Sequence, residues 1–445
     1  GQALFAAKLV PGAPRRPVGT VPGTNIAQVL QVGKVVFIWT DPQRTLPGFG
    51  VSPLVLWTAA GGAQLISAQS SVGLVATAAS ADSRQIVFTT NVTADNARGD
   101  LVHAFTNNPL QPTTLVANTT MAFPNGQCRP LANFGRDQGR EVPVAQYCAG
   151  ADTTATMSKW VNGVRTDLIS NIATPLQFIL ESDARARTFL VNLANNSVAS
   201  VTMDGEITVI DPTARSRQGF IGRHGAVGYA VSGTPAELRL ARNGEAPETV
   251  SNLTRLYRGT YNRSGYSKPR TVSSDGSLGL FGSTVDPNTG LTDMNLLDLC
   301  SGDVIPLETD TTATVFSEIF TSDGDHALFF TVTDPTSSTA TLVTGDRTGA
   351  THTIGPADGV WDALAAAGDD ISFNTNPTVD SSSLRSFFLS TGDLFVVDAD
   401  HPNGTRLVSA QASLLYLPSH DRKRLVFPSA TEPSGPGLYL ASARP

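Results

Sequence analysis

Six histidines and three cysteines are the side chains in this chain best equipped for nucleophilic, acid–base or metal chemistry. The histidines are His103, His224, His326, His352, His401 and His420. Metal sites and hydrolytic sites that announce themselves in sequence do so by spacing, as in H-E-x-x-H, C-x-x-C or G-x-S-x-G. None of these occurs, and neither does a phosphate-binding P-loop or G-x-G-x-x-G. Cys128 and Cys148 are close enough in sequence to bridge neighbouring strands, which makes them a disulfide candidate and leaves Cys300 over. Three cysteines are too few for a disulfide framework. Two loops carry the oxygen ligands a hard cation wants. "DPNTGLTD" offers Asp286, Asn288 and Asp293, and "DADHPNGT" offers Asp398, Asp400 and Asn403. The same residues also build hairpin turns, because Asp and Asn cap the backbone and Gly accepts positive φ. Neither loop has the full acidic order or a bidentate Glu. Turn chemistry is therefore expected, with no cofactor, and calcium is the one ion these loops would suit. A site gathered from several repeats would escape every spacing rule.

The bulk properties narrow the classes of partner. The 445 residues carry a net charge of −7, with no basic run longer than "DRKR" at 421–424. A nucleic-acid binder needs a basic stripe to displace counterions from phosphates, so nucleic acid is excluded as a partner. No apolar stretch reaches the roughly 18 residues that span a bilayer. Only 16 % of residues are charged, against about 25 % in an ordinary soluble domain. Thr, Ser, Asn and Gly must then cover much of the surface, which suits an extracytoplasmic protein (periplasmic, cell-surface or secreted) or a subunit of an assembly. The chain starts at Gly1 without Met, compatible with a signal peptide already removed. Asn-x-Ser/Thr sequences at Asn91, Asn118, Asn195, Asn252, Asn262 and Asn403 decide nothing in so Ser/Thr-rich a chain.

What must position any site is a repeat. Ser or Thr, then Asp two residues on, then Phe eight residues on, describes "SADSRQIVF", "SSDGSLGLF", "TSDGDHALF" and "SHDRKRLVF". "ESDARARTF" keeps the Asp and the Phe. These begin at residues 80, 273, 321, 419 and 181, so in chain order the intervals are 101, 92, 48 and 98. One period near 48 with degenerate copies explains all four. Such copies stand at "GKVVFIWT", "REVPVAQYC", "GRHGAVGYAV" and "GDDISFNT". Nine aromatic slots result, at 37, 88, about 145, 189, 229, 281, 329, 373 and 427. Each is followed by two further short strands rich in β-branched or aromatic residues and bounded by Gly/Asp/Asn/Pro turns. Helical periodicity is nearly absent; "WDALAAAG" at 361–368 is the one stretch that could form a turn of helix.

With one more short strand allowed before each Ser-x-Asp turn, the unit is a four-stranded meander, and such units of 40–50 residues read as propeller blades, each burying its two faces against its neighbours. Ser-x-Asp-Gly followed by an aliphatic–x–Phe strand also resembles the WD40-like repeat of TolB-type β-propellers. It is similar, too, to the propellers of prolyl-oligopeptidase-type enzymes, although no segment remains here for a hydrolase domain. The Gly is kept only at Gly276 and Gly324. The expectation is an all-β protein, a single β-propeller domain over 1–445. Nine slots are counted, and eight blades are favoured within a range of seven to nine. The N-terminal segment 1–28 would complete the last blade. Asp82, Asp183, Asp275, Asp323 and Asp421 are expected as structural turn residues, with no catalytic or metal residue named. Rigid blades holding variable loops suit a non-enzymatic binding or scaffolding propeller with a protein partner or self-assembly. The alternative is a propeller-type lyase or glycoside-active enzyme with its site at the channel mouth.

Overall fold

The computed structural model describes residues 2–6, 16–21, 26–32, 35–40, 43–46, 49–58, 61–72, 77–80, 82–93, 98–121, 131–148, 154–173, 179–182, 187–214, 216–233, 236–242, 244–253, 255–256, 272–285, 292–314, 320–321, 324–332, 341–354, 360–365, 370–375, 391–398, 401–413, 417–418, 424–429 and 437–442. They are almost entirely β-structure, and the one helical element among them is the 3₁₀ turn Arg223–Gly225. The strands form successive antiparallel meanders of the propeller-blade type. Blade one is Ile26–Val32, Val35–Thr40, Phe49–Thr58 and Gly62–Val72, with Gln43–Leu46 beside its third strand. Blade two is Ala78–Ala79, Gln85–Thr90, Arg98–Phe105 and Thr113–Thr120. Blade three is Leu131–Asp137, Arg140–Tyr147, Thr154–Val161 and Val164–Ala173. Blade four is Ile179–Ser182, Thr188–Asn192, Val198–Thr202 and Ile207–Asp211.

Blade five is Ser216–Ile221, Val227–Val231, Ala236–Ala241 and Glu248–Leu253. Blade six is Arg255–Leu256, Leu278–Val285, Thr292–Asp298 and the long strand Val304–Thr314. The far end of that strand pairs onward with His326–Val332 and so serves as the first strand of blade seven, which continues through Thr341–Asp346 and Thr351–Ile354. Blade eight is Val360–Ala365, Asp370–Thr375, Thr391–Asp398 and His401–Ser413. Leu417–Pro418, Arg424–Ser429 and Gly437–Ser442 follow as a ninth unit. Gln2–Ala6 and Arg16–Val21 form a separate hairpin. The contacts gather into two compact units, one mainly Ala13–Arg217 and the other mainly Gln218–Arg263 with Ser267–Pro445. One reading of the sequence is corrected: Val360–Ala365 is a strand paired with Asp370–Thr375, not a turn of helix. Alanine's helix preference is a fraction of a kcal/mol per residue, and sheet pairing overrides it.

All nine aromatic slots fall on the second strand of their units. Phe37, Phe88, Ala145, Phe189, Tyr229, Phe281 and Phe329 are each 0 % exposed. Where the seam between blades is described, the slot packs backwards. Phe88 joins Phe37, Trp39 and Leu56 of blade one, and Phe189 joins Val144 and Met157 of blade three. Phe281 joins Phe220 and Leu240 of blade five, and Phe329 joins Leu280 and Met294 of blade six. The neighbouring residue faces forwards, as Val87 does toward Phe134 and Trp160. Alternation of side chains along a strand thus supplies both seams from one short sequence. Fully burying each Phe contributes about 2 kcal/mol against leaving it in water.

The Ser-x-Asp stretch closes the turn between first and second strands in the same way three times. The first residue's N–H donates to the carbonyl five residues on, at 3.0 Å in Ser80, 2.9 Å in Ser273 and 2.9 Å in Thr321. Its hydroxyl accepts from the N–H of that same residue, at 2.9 Å from Gln85, 2.9 Å from Leu278 and 3.1 Å from His326. The fourth residue of each stretch is left-handed, with φ of 57° at Ser83, 72° at Gly276 and 91° at Gly324. Glycine takes that conformation at no steric cost, whereas Ser83 must tolerate it. Asp183, Asp323 and Asp421 lie outside the described residues.

Candidate functional site

The third unit breaks the repeat. Where blades two, six and seven have the Ser/Thr-initiated turn, blade three runs Leu131–Asp137 straight into Arg140–Tyr147 through Gln138 and Gly139. Both turn residues have positive φ, 46° and 81°, as a tight hairpin of right-twisting strands requires. The hairpin carries Arg136 opposite Glu141 and Arg140 opposite Asp137 at its tip, and both arginines are exposed.

Beside it, between blades two and three, opens a cleft of about 1060 Å³. Blade two contributes Asp82, Arg84, Gln85, His103, Phe105 and Leu115. Blade three contributes Arg136, Arg140, Glu141, Val142, Pro143 and Trp160. The corresponding seam between blades five and six is bridged by arginines. There Arg223 Nε donates to the Asp275 carbonyl at 2.8 Å, and Arg242 Nη1 donates to the Ser301 carbonyl at 2.7 Å. Between blades two and three, Gln85 Nε2 donates to the Glu141 carbonyl at 3.0 Å.

Gln85 also fixes the one imidazole of the cleft. Since its Nε2 is committed to a carbonyl, its Oε1 faces His103 Nε2 at 2.9 Å and can only accept. His103 therefore carries its proton on Nε2 and keeps a lone pair on Nδ1. Burial lowers its pKa to about 4, so the ring is neutral at physiological pH. Its ring meets Phe105 edge-on, with centroids 4.9 Å apart, while Phe105 itself is 53 % exposed at the cleft. Asp82 accepts from Ser80 Oγ at 2.6 Å and from the Arg84 N–H at 3.0 Å, and lies 3.7 Å from the Arg84 guanidinium. Glu141 Oε2 is buried and has no hydrogen-bond partner among the described residues. Arg136 and Arg140 form no ion pair there.

The positions singled out in the sequence scatter. Asp293 stands in Thr292–Asp298 opposite Ser283, while Asp286 and Asn288 lie outside the described residues. Asp398 ends its strand, paired with His401, and Asn403 lies in His401–Ser413; Asp400 is outside the described residues. Among the described residues no group of three or more His, Cys, Asp and Glu is placed to hold a metal. Cys148 is fully buried and Cys300 is free and exposed; Cys128 is outside the described residues. His224 is exposed, whereas His326 is buried beneath its own turn, because it opens the second strand. No helix among the described residues is long and apolar enough to cross a membrane. Sequence reasoning missed the cleft. The signal that could have found it was the weakest copy of the repeat, "REVPVAQYC".

No family model matches the chain, and no curated protein matches it. Among solved structures, the chain is similar to a TolB of Agrobacterium tumefaciens at 13 % identity. That likeness covers 55 % of this chain and 84 % of the other, with a TM-score of 0.29. It is similar to the propeller domain of the Trilobed protease from Pyrococcus furiosus at 9 % identity, over 88 % and 98 % of the two chains, with a TM-score of 0.36. An oligogalacturonate lyase solved with manganese gives 11 % identity over 95 % and 98 %, with a TM-score of 0.41. All three are propeller-type neighbours; the blade assignment itself rests on the sheets described above.

Proposed function

We propose that this protein is a non-enzymatic binding propeller that works outside the cytoplasm and grips a protein partner in the cleft between blades two and three. The observation that carries this reading is the lining itself: an exposed Phe105 and the Trp160 ring beside arginines that have no ion-pair partner among the described residues. Aromatic and arginine side chains with few competing contacts are what binding hot spots are made of. An acid–base enzyme would want a group titrating near its working pH. The cleft's imidazole titrates at about 4 and its Nε2 is held by Gln85.

A photo-reactive benzoylphenylalanine at position 105 tests the reading, with the same group at Leu65, 57 % exposed on the fourth strand of blade one, as control. Irradiation in native envelope or culture medium is expected to give one adduct, identifiable by mass spectrometry, from position 105 and not from position 65. No adduct, or the same adducts from both positions, overturns it.

The compartment belongs to the same proposal, and with it a Cys128–Cys148 bridge, which oxidising surroundings would form and keep. Thiol titration in denaturant is expected to find one reactive thiol, Cys300, before reduction and three after it. Three before reduction would remove both the bridge and this argument for an extracytoplasmic site.

A further inference from the structure

The binding reading leaves open what the cleft selects, and its charges answer that. Three arginines, Arg84, Arg136 and Arg140, face two carboxylates, Asp82 and Glu141, in a chain whose net charge is −7. Asp82 already lies against Arg84, at 3.7 Å. Two guanidinium forks remain at the hairpin tip, Arg136 opposite Glu141 and Arg140 opposite Asp137 on the other face, with no ion pair among the described residues. Such forks match carboxylates in geometry as well as in charge. Phe105 adds an exposed apolar surface at the same opening. Carboxylates and apolar side chains occur together in an acidic peptide.

We propose that the cleft between blades two and three binds an acidic peptide segment, its carboxylates on Arg136 and Arg140 and an apolar side chain on Phe105. The proposal rests on the binding reading above and narrows it to one class of ligand. The degenerate third repeat then has a purpose: where blade six offers a turn that Arg223 bridges, blade three offers an arginine-bearing hairpin beside the opening.

The test uses the intact protein and a fluorescein-labelled peptide, Glu-Phe-Glu-Leu-Glu-Phe, followed by anisotropy. The version with Gln in place of Glu is expected to bind roughly tenfold more weakly or worse, since charge-assisted pairs are about twice as strong as neutral ones. Raising NaCl from about 0.05 to about 0.5 M should erase most of that difference by screening. The double variant Arg136→Gln/Arg140→Gln is expected to lose roughly tenfold toward the acidic peptide at an unchanged melting temperature, because both side chains are exposed. Phe105→Ala should weaken both peptides alike. Equal binding of the two peptides, or an unchanged affinity in the double variant, overturns the proposal. An oligogalacturonate that binds as tightly, with the same dependence on the arginines, reassigns the cleft to anionic sugars and also overturns it. If no probe binds while position 105 still gives its photo-adduct, the acidic class is wrong and the binding role stands. If both fail, both readings fall.

Discussion

Gly228→Ala is expected to cost about 3 kcal/mol and to leave much of the chain unfolded near its ordinary melting range, because the new methyl has nowhere to go. A Cβ there would stand 2.0 Å from Phe220 Cε2 and 2.7 Å from Phe220 Cζ. From the other side, a Cβ at Gly279 of blade six would stand 2.7 Å from the same Cζ. The two glycines are thus the floor and ceiling of the slot that holds the Phe220 ring, itself 1 % exposed. An overpacked ring must leave its rotamer or push two strands apart, and the cost is shared by two blades. Gly279→Ala should follow in the same direction with a smaller loss. The slot reading makes a further demand: Phe220→Leu, destabilising alone, should recover part of the loss when combined with Gly228→Ala. Urea denaturation of the four proteins checks this, and additive losses would mean that Gly228 matters for some other reason.

Asp275→Asn is expected to cost roughly 2–3 kcal/mol at pH 7, the range in which hydrogen bonds to a charged group fall. Its carboxylate accepts from Ser273 Oγ at 2.6 Å, from the Ser277 N–H at 3.0 Å and from Ser277 Oγ at 2.8 Å. It also accepts from Arg347 Nη2 of blade seven at 2.7 Å and from Arg223 Nη2 of blade five at 3.1 Å. One carboxylate thus ties three consecutive blades, where a lone turn residue would hold only its own loop. Burial by itself would push its pKa up; the bonds from Ser273, Ser277 and Arg347 outweigh burial and hold the carboxyl well below the ordinary carboxylate range. A carboxyl depressed in the folded state stabilises in full above its unfolded pKa, about 3.9, and loses that stabilisation as pH falls further. The gap between wild type and Asp275→Asn should therefore be constant from about pH 7 to 5 and shrink below about pH 4. A gap that grew in acid would contradict the assignment.

The single sequence determined the blade. Alternation along the second strand, with Phe37, Phe88, Phe189, Phe281 and Phe329 in phase, is a local signal of period two, and burial on both faces follows from it. The turn was equally legible, since Ser273, Asp275 and Gly276 satisfy one another within a few residues. What only the tertiary structure decided is what those residues meet across a seam. Arg223 and Arg347 reach Asp275 from 52 and 72 residues away, and nothing in "SSDGSLGLF" names them. The second Gly in that stretch, Gly279, reads locally as a weak point in a strand; it is there because a phenylalanine from the preceding blade needs its space. The cleft was hidden for the same reason. Arg136, Arg140 and Glu141 belong to one blade, Gln85, His103 and Phe105 to another, and only stacking the blades brings them to one opening. Short-range hydrogen bonds and side-chain alternation are written along the chain, whereas a site on a seam belongs to pairs of repeats, whose partners the sequence does not list.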